Sequence, residues 1–184
     1  IGQVEPANAG AVDNARRLVD EDGAVGLRVL LAADPDRARE QAASPAWAGL
    51  AATGVPISLR AMPVHHGLVV ELLGRHPETA FVLDHLGIPD LADTADAARR
   101  VAELASYENC HMKVAGFAHL RAASGTAESG QQVASVVRAC LAGFGPARLA
   151  WGSDFPGADH RTVQELALDE LAARFPVVLE LGKR

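Results

Sequence analysis

Cysteine is scarce in this chain, which contains only Cys110 and Cys140. The two residues lie far apart and form no C-x-x-C pair, so a disulfide framework and a zinc knuckle both have little support. Proteins without structural disulfides are typical of reducing compartments, and we therefore expect a cytoplasmic protein.

Basic residues are outnumbered by acidic ones. The chain has 17 Lys and Arg against 23 Asp and Glu, a formal net charge of -6 and a pI near 5.6. Nucleic acids and anionic membranes bind clusters of Lys and Arg, which this sequence does not contain. We therefore expect neither as a partner and predict a small-molecule substrate.

Long apolar runs are missing as well. No stretch approaches 18 apolar residues and no charged-then-apolar segment opens the chain, so neither a membrane span nor a secretion signal is expected. With 184 residues, 49% of them hydrophobic, the chain can build one core, and we predict a single domain over residues 1–184. Ile1 is not a start residue, so the natural chain is expected to begin further upstream.

Several catalytic motifs are absent. The sequence has no G-x-x-x-x-G-K-[ST] phosphate loop, no G-x-G-x-x-G after a first strand, no G-x-S-x-G elbow and no H-E-x-x-H helix. These absences argue against nucleotide-dependent reactions and against serine hydrolysis.

What the chain does contain is a repeated pattern of helical stretch, short loop and β-branched apolar run. Helices are predicted over 8–22, 36–52 with a break at Ser44-Pro45, 64–75, 92–106, 133–143 and 162–174. Strands are predicted over 25–31, 57–60, 81–87, 110–114 and 148–154, with 1–5 as the remnant of another. Nearly continuous apolar strands that alternate with helices predict an α/β fold with a parallel sheet covered on both faces.

Each predicted strand carries polar or charged residues where it ends: Arg28, Arg60, Asp84-His85, Lys113 and Ser153-Asp154. Ligands gather at the C-terminal ends of parallel strands, so these side chains are expected to converge on one pocket. A single residue of this kind more often caps the next helix or solvates a loop. The prediction therefore depends on all five strand ends together.

Asp154 and His85 are the strongest candidates for chemistry. Asp154 is either a turn or capping carboxylate, or a metal ligand or general base at the bottom of a cleft. His85 is either a buried imidazole satisfied by the backbone or, beside Asp84, a proton shuttle or metal ligand. His65 and His66, at a helix start, are expected on the surface.

Three segments, "FVLDHLGIPD", "CHMKVAGF" and "RLAWGSDFPG", occur in that order, and each ends a predicted strand. Together with the opening "IGQVEPANAGAVDNARRLVDEDGAVGLRVL", they resemble the amidohydrolase-related family of TIM-barrel metal-dependent hydrolases. The resemblance implies a (β/α)8 barrel that is incomplete in this chain. Its five to six parallel strands would correspond to the third through the eighth strand of the barrel.

The resemblance also implies roles for the strand-end residues. Asp154 stands in the place of the eighth-strand aspartate, which binds metal or activates water, and His85 in that of the sixth-strand histidine, which assists proton transfer. Lys113 corresponds to a seventh-strand lysine, and Arg28 to a fourth-strand arginine whose planar fork can bind a substrate carboxylate. If a metal binds, Asp154 and His85 are its implied ligands.

Two departures from the family pattern bear on the cofactor. The first-strand H-x-H pair has no counterpart in residues 1–184, and Arg60 stands where metal-dependent members have a fifth-strand histidine. A guanidinium stays protonated and cannot ligate a divalent ion. The sequence is in this respect similar to the lactonase branch, with pyrone-dicarboxylate lactonase and fuconolactonase-like proteins, some of which work without a tightly bound metal. The cofactor therefore stays open between none and a divalent ion, zinc or manganese.

The resemblance favours a hydrolase that acts on a small carboxylated lactone or a related ester or amide. Arg28 and Arg60, with Lys113, would bind the acidic ring. His85 would polarise the carbonyl or shuttle a proton, and Asp154 would accept the proton of the attacking water. Two alternatives stay open: a metal-dependent decarboxylase of the same family, against which Arg60 counts, and an inactive barrel segment that self-associates through unpaired edge strands.

Overall fold

In the part of the chain that the structure describes, six strands alternate with six helices. The computed structural model describes residues 1–116 and 129–152. The elements of these residues are β1 (Gly2–Gln3), α1 (Ala11–Asp20), β2 (Leu27–Leu30), α2 (Pro35–Ala43), α3 (Ala46–Ala51), β3 (Ile57–Arg60), α4 (His66–Arg75), β4 (Phe81–Leu83), α5 (Thr94–Ala105), β5 (Cys110–Val114), α6 (Ser129–Phe144) and β6 (Leu149–Trp151). The helix predicted over 162–174 and the candidate base Asp154 lie outside the described residues.

The strands form one sheet in chain order, and each is parallel to the next. Parallel neighbours need a crossover connection, and the helix or helix pair between successive strands provides it. The predicted α/β fold with a parallel sheet is confirmed, including the strand at the start of the chain. In the described residues no helix is long and apolar enough to cross a membrane.

The strand side chains alternate between two faces of the sheet. One face is apolar and packs against the helices; among its fully buried members are Leu27, Val29, Ile57, Leu59, Phe81 and Met112. The opposite face carries Arg28, Ser58 and Lys113, each of which lies between two apolar neighbours in its strand. The strands are thus alternating rather than continuously apolar, and the polar face is the one that builds the site.

Local sequence signals set several helix ends. The Asp34 side chain accepts a hydrogen bond from the Arg37 N–H at 2.9 Å, and Pro35 occupies the first helical position of α2. Ser44, the residue before Pro45, is extended with ψ 134°, which separates α2 from α3 as predicted. The two helices therefore belong to one crossover between β2 and β3.

His65 lies inside the protein, so its predicted surface position is wrong. It is 1% exposed and is the last residue of the turn Pro63–His65. Its Nδ1 accepts a hydrogen bond from the Met62 N–H at 3.1 Å. Burial lowers the pKa of His65 and outweighs the opposing effect of the Ala32 carbonyl, so the imidazole is neutral. His66 pairs with Glu103 at 2.8 Å.

We expect the free energy of unfolding to fall as the pH drops below the ordinary histidine pKa of about 6.5. The folded state holds His65 neutral, so the unfolded chain binds the proton more readily, and the stability present above that pKa is lost at lower pH. In His65→Asn the amide oxygen can accept the Met62 N–H but does not titrate. Urea unfolding at pH 7 and pH 5 should show a smaller loss of unfolding free energy for this variant than for the wild type. An equal loss in both proteins would contradict a neutral, buried His65.

Candidate active site

A buried carboxylate lies at the centre of the site. Asp84 directly follows β4, and its side chain is 0% exposed. Its backbone N–H donates to the Leu59 carbonyl at 2.9 Å, and its own carbonyl accepts from the Gly87 N–H at 3.0 Å. The main chain therefore holds this residue on both sides.

Donors from three other strands occupy both oxygens of Asp84. Ser58 Oγ donates to Oδ1 at 2.8 Å, and Lys113 Nζ donates to the same oxygen at 2.6 Å. Arg28 donates from Nε to Oδ2 at 2.9 Å, and its Nη2 lies 2.8 Å from that oxygen. These contacts fill the roughly four acceptor positions of a carboxylate.

The electrostatics of the cluster keep Asp84 ionised. Burial alone would raise the pKa of its carboxyl. Hydrogen bonds from Lys113 and Ser58, together with the charges of Lys113 and Arg28, outweigh burial and hold the pKa below its ordinary value. An ionised carboxylate without a vacant acceptor position is a poor proton acceptor, so Asp84 is suited to orient other groups rather than to act as a base.

The backbone after Asp84 turns with a left-handed conformation. His85, Leu86, Gly87 and Ile88 have φ values of 55°, 59°, 72° and 47°. Only glycine adopts this region without strain, and each of the other three residues costs roughly 1–2 kcal/mol. Successive residues of an extended strand point to opposite faces, so continued extension would direct His85 to the face opposite Asp84. With the left-handed turn, His85 instead lines the same cleft as Arg28 and Lys113.

Gly116 provides the space for the His85 ring. A Cβ on Gly116 would lie 2.5 Å from His85 Nδ1 and 2.8 Å from Cγ, both far inside van der Waals contact. Gly116 also has φ 76°, a conformation that other residues adopt only with strain. The glycine is therefore required both by its own backbone and by the close approach of the imidazole.

The polar side chains border a cleft of about 340 Å³. Its size is at the lower end of the range for small-molecule sites. The lining residues are Ile1, Gln3, Arg28, His85, Lys113, Ala115 and Gly152. Arg28 and Lys113 remain partly exposed there, at 36% and 25% of their side-chain surface, while Asp84 lies beneath them.

The structure brings together three of the five residues proposed for the site, namely Arg28, His85 and Lys113. Arg60 is the last residue of β3, two positions after Ser58, and its side chain is exposed and does not line the cleft. Asp154 lies outside the described residues, two positions after Gly152, which lines the cleft. Its role stays a prediction.

Ser58 was not among the residues that the sequence singled out for the site, and Asp84 was named at its strand end without a role of its own. The signal for Asp84 was its position at the strand end, beside His85. Ser58 interrupts the apolar run of β3 and pairs in register with Arg28 of β2, so it lies on the same face. A polar residue in the middle of a strand, rather than only at its end, was the pattern that would have identified Ser58.

The described residues do not offer a site for a divalent metal ion. In residues 1–116 and 129–152, no three His, Cys, Asp or Glu side chains are close enough together to hold one. Asp84 already accepts hydrogen bonds from three side chains, and the charges of Arg28 and Lys113 would repel a cation placed beside it. The groups around Asp84 therefore do not fit a metal ion.

Gly116→Ala should displace the His85 imidazole. A matched control is Gly54→Ala, since Gly54 has a similar φ of 73° and a Cβ added there would meet nothing within 4 Å. Both variants carry the backbone cost of about 1–2 kcal/mol, and only Gly116→Ala adds the collision. Thermal unfolding and the NMR signals of the His85 ring test this. Equal destabilisation with an unshifted His85 signal would contradict it.

Comparisons with known proteins agree with this architecture. The family model Amidohydro_2, described as amidohydrolase, matches residues 1–181. The L-fucono-1,5-lactonase of Burkholderia ambifaria is 29% identical over 160 residues, which are 85% of this chain and 54% of that protein. The chain therefore spans about half the length of this curated relative.

Two solved structures show the same fold. An amidohydrolase from Burkholderia multivorans with bound zinc has a TM-score of 0.76 at 24% identity, over 95% of this chain and 66% of that one. A putative 2-pyrone-4,6-dicarboxylic acid hydrolase from Pseudomonas putida has a TM-score of 0.65 at 21% identity, over 88% and 64%. The predicted fold, a TIM-barrel type that is incomplete in this chain with five to six parallel strands, is thereby confirmed, and the described residues contain six. Since the family model matches nearly all of its residues, the chain belongs to the amidohydrolase family.

Proposed function

We propose that this protein hydrolyses a small anionic lactone by attack of an activated water molecule. The observation that carries the proposal is the pair of cations, Arg28 and Lys113, that a buried Asp84 holds beside His85 in one cleft. The three charged groups together carry one net positive charge, which attracts an anion. The family supports hydrolysis, and the name of the curated relative supports a lactone.

The cations have donors left for a ligand. Arg28 contacts Asp84 through Nε and Nη2, and its Nη1 makes no hydrogen bond within the described part of the chain. Lys113 uses one of its three N–H groups on Asp84. These donors would bind a substrate carboxylate and stabilise the negative charge that develops on the carbonyl oxygen during attack.

The remaining steps need a base and an acid. Asp154 would accept a proton from water as the water oxygen bonds to the carbonyl carbon. The ring C–O bond then breaks, and His85 would deliver a proton to the departing oxygen, so the product is a hydroxy acid. Arg60, which is exposed at the end of β3 and does not line the cleft, stays a predicted substrate-binding residue. Self-association and a bound metal stay predictions.

The charge of the cleft predicts which lactones are preferred. We expect 2-pyrone-4,6-dicarboxylate to be hydrolysed with a higher kcat/KM than the neutral L-fucono-1,5-lactone, and we expect added salt to reduce the difference by screening. Arg28→Met should lower kcat/KM for the dicarboxylate about 100-fold, since a charge-assisted bidentate contact is lost, and should affect the neutral lactone less. The rate of proton release at low and high salt measures both the preference between the two lactones and the effect of Arg28→Met. Preference for the neutral lactone at low salt would contradict an anionic substrate.

Asp154→Asn tests the proposed base. Loss of general base catalysis should lower kcat about 10²–10⁴-fold, with little change in thermal stability. Asp36→Asn is a suitable control, because Asp36 has 92% of its side chain exposed on α2. Turnover by Asp154→Asn at the wild-type rate would remove Asp154 from the mechanism.

A further inference from the structure

The donors around Asp84 do more than balance its charge. Arg28 and Lys113 supply two positive charges for one carboxylate, so neutrality does not require Ser58 as well. Ser58 is uncharged and 5% exposed, and it donates to the same oxygen as Lys113. Besides stabilising the ionised carboxylate, this hydrogen bond limits the rotation of the carboxylate about its side-chain bonds.

The backbone around Asp84 is equally constrained. Its N–H is bonded to Leu59 of β3, and its carbonyl closes the first turn of the left-handed segment. Because both the main chain and the side chain of Asp84 are held by hydrogen bonds, the carboxylate in turn restrains the side chains that donate to it. Arg28 contacts it through one edge of the guanidinium, which leaves the Nη1 edge directed away from Asp84.

We infer that Asp84 is a positioning residue that holds Arg28 and Lys113 in the orientation in which their free N–H groups meet an anionic ligand. The inference rests on the proposed function for the identity of the ligand and on the hydrogen bonds of Asp84 for the orientation. Asp84 does not contact the ligand itself, because it lies below the two cations and is fully buried.

The direction in which one substitution changes anion affinity distinguishes a positioning role of Asp84 from simple charge neutralisation. Asp84→Asn removes a negative charge beneath the cleft, so an electrostatic role alone predicts tighter binding of anions. If Asp84 positions the cations, binding weakens although the cleft becomes more positive, because an amide presents N–H groups to Arg28 or Lys113. We expect the Kd of citrate, used as a tricarboxylate probe in calorimetry at low salt, to rise about tenfold or more.

Asp96→Asn is the matched control. Asp96 also binds two cations, Arg99 and Arg100, each at 2.5 Å, but it lies on α5 and does not line the cleft. The substitution makes the same change in net charge, and the Kd of citrate should stay within about twofold, since Asp96 is partly exposed outside the cleft lining, where salt screens its charge. An equal or lower Kd in Asp84→Asn, compared with the wild type, would overturn the inference.

A second readout does not depend on any ligand. The Arg28 Nε–H, assigned in ¹⁵N spectra by its loss in Arg28→Lys, should exchange slowly with solvent in the wild type and in Asp96→Asn, and fast in Asp84→Asn. If the wild type binds no citrate, the proposed anionic substrate fails, while this signal still decides the positioning role. If Asp84→Asn does not fold, Ser58→Ala is tested in its place. We expect a smaller rise in the Kd of citrate and faster exchange of the Arg28 Nε–H. No change in either quantity would overturn the inference.

Discussion

The buried Asp84 carboxylate joins four of the six described strands, and the geometry of the site depends on it. Its partners come from β2, β3 and β5, and the residue itself ends β4. In a sheet, a shift of one residue moves every side chain to the other face. A slip of β2 or β5 would therefore bury Arg28 or Lys113 against the helices without a counter-charge, and so the ion cluster specifies the strand register as well as the site.

The two faces of the sheet have different roles, and the ion cluster lies on only one of them. The helix-facing side is apolar and fully buried, with Leu27, Leu59 and Phe81 among its members, and it contributes stability by removing hydrocarbon from water. The other face contains a desolvated carboxylate, which costs free energy unless its partners are well placed. Within residues 1–116 and 129–152, the fully buried carboxylate contacts two cations on the face that we propose to bind ligand, and the core-packing face of the strands carries no buried charge.

Sequence alone was sufficient to predict the helices and strands of the described residues and part of the site. Apolar periodicity located the strands because they are short and bounded by Gly and Pro, and the residue before Pro45 marked the break between α2 and α3. Polar strand ends identified Arg28, His85 and Lys113, which share the cleft. Their convergence follows from parallel pairing, a property that the alternation of strands and helices already implies.

Other features depend on contacts between distant parts of the chain. His65 was expected on the surface because adjacent residues point in different directions and the histidine pair lies at a helix start, yet it is 1% exposed. Asp84 was visible only as the neighbour of His85, since its three partners are 26 to 56 residues away in sequence. No local propensity encodes a carboxylate with three distant donors.

The left-handed turn shows how the two adjacent residues Asp84 and His85 serve one cleft. An extended backbone would place them on opposite faces of the sheet, so that either the carboxylate or the imidazole would face the helices. The strain at His85, Leu86 and Ile88 allows the carboxylate to stay beneath the cations while the imidazole lines the cleft above. Burial of Leu86 to 2% exposure offsets part of that strain by about 1.5–3 kcal/mol. The turn is therefore held in place by the core, and the position of His85 depends on packing as well as on the polar groups around it.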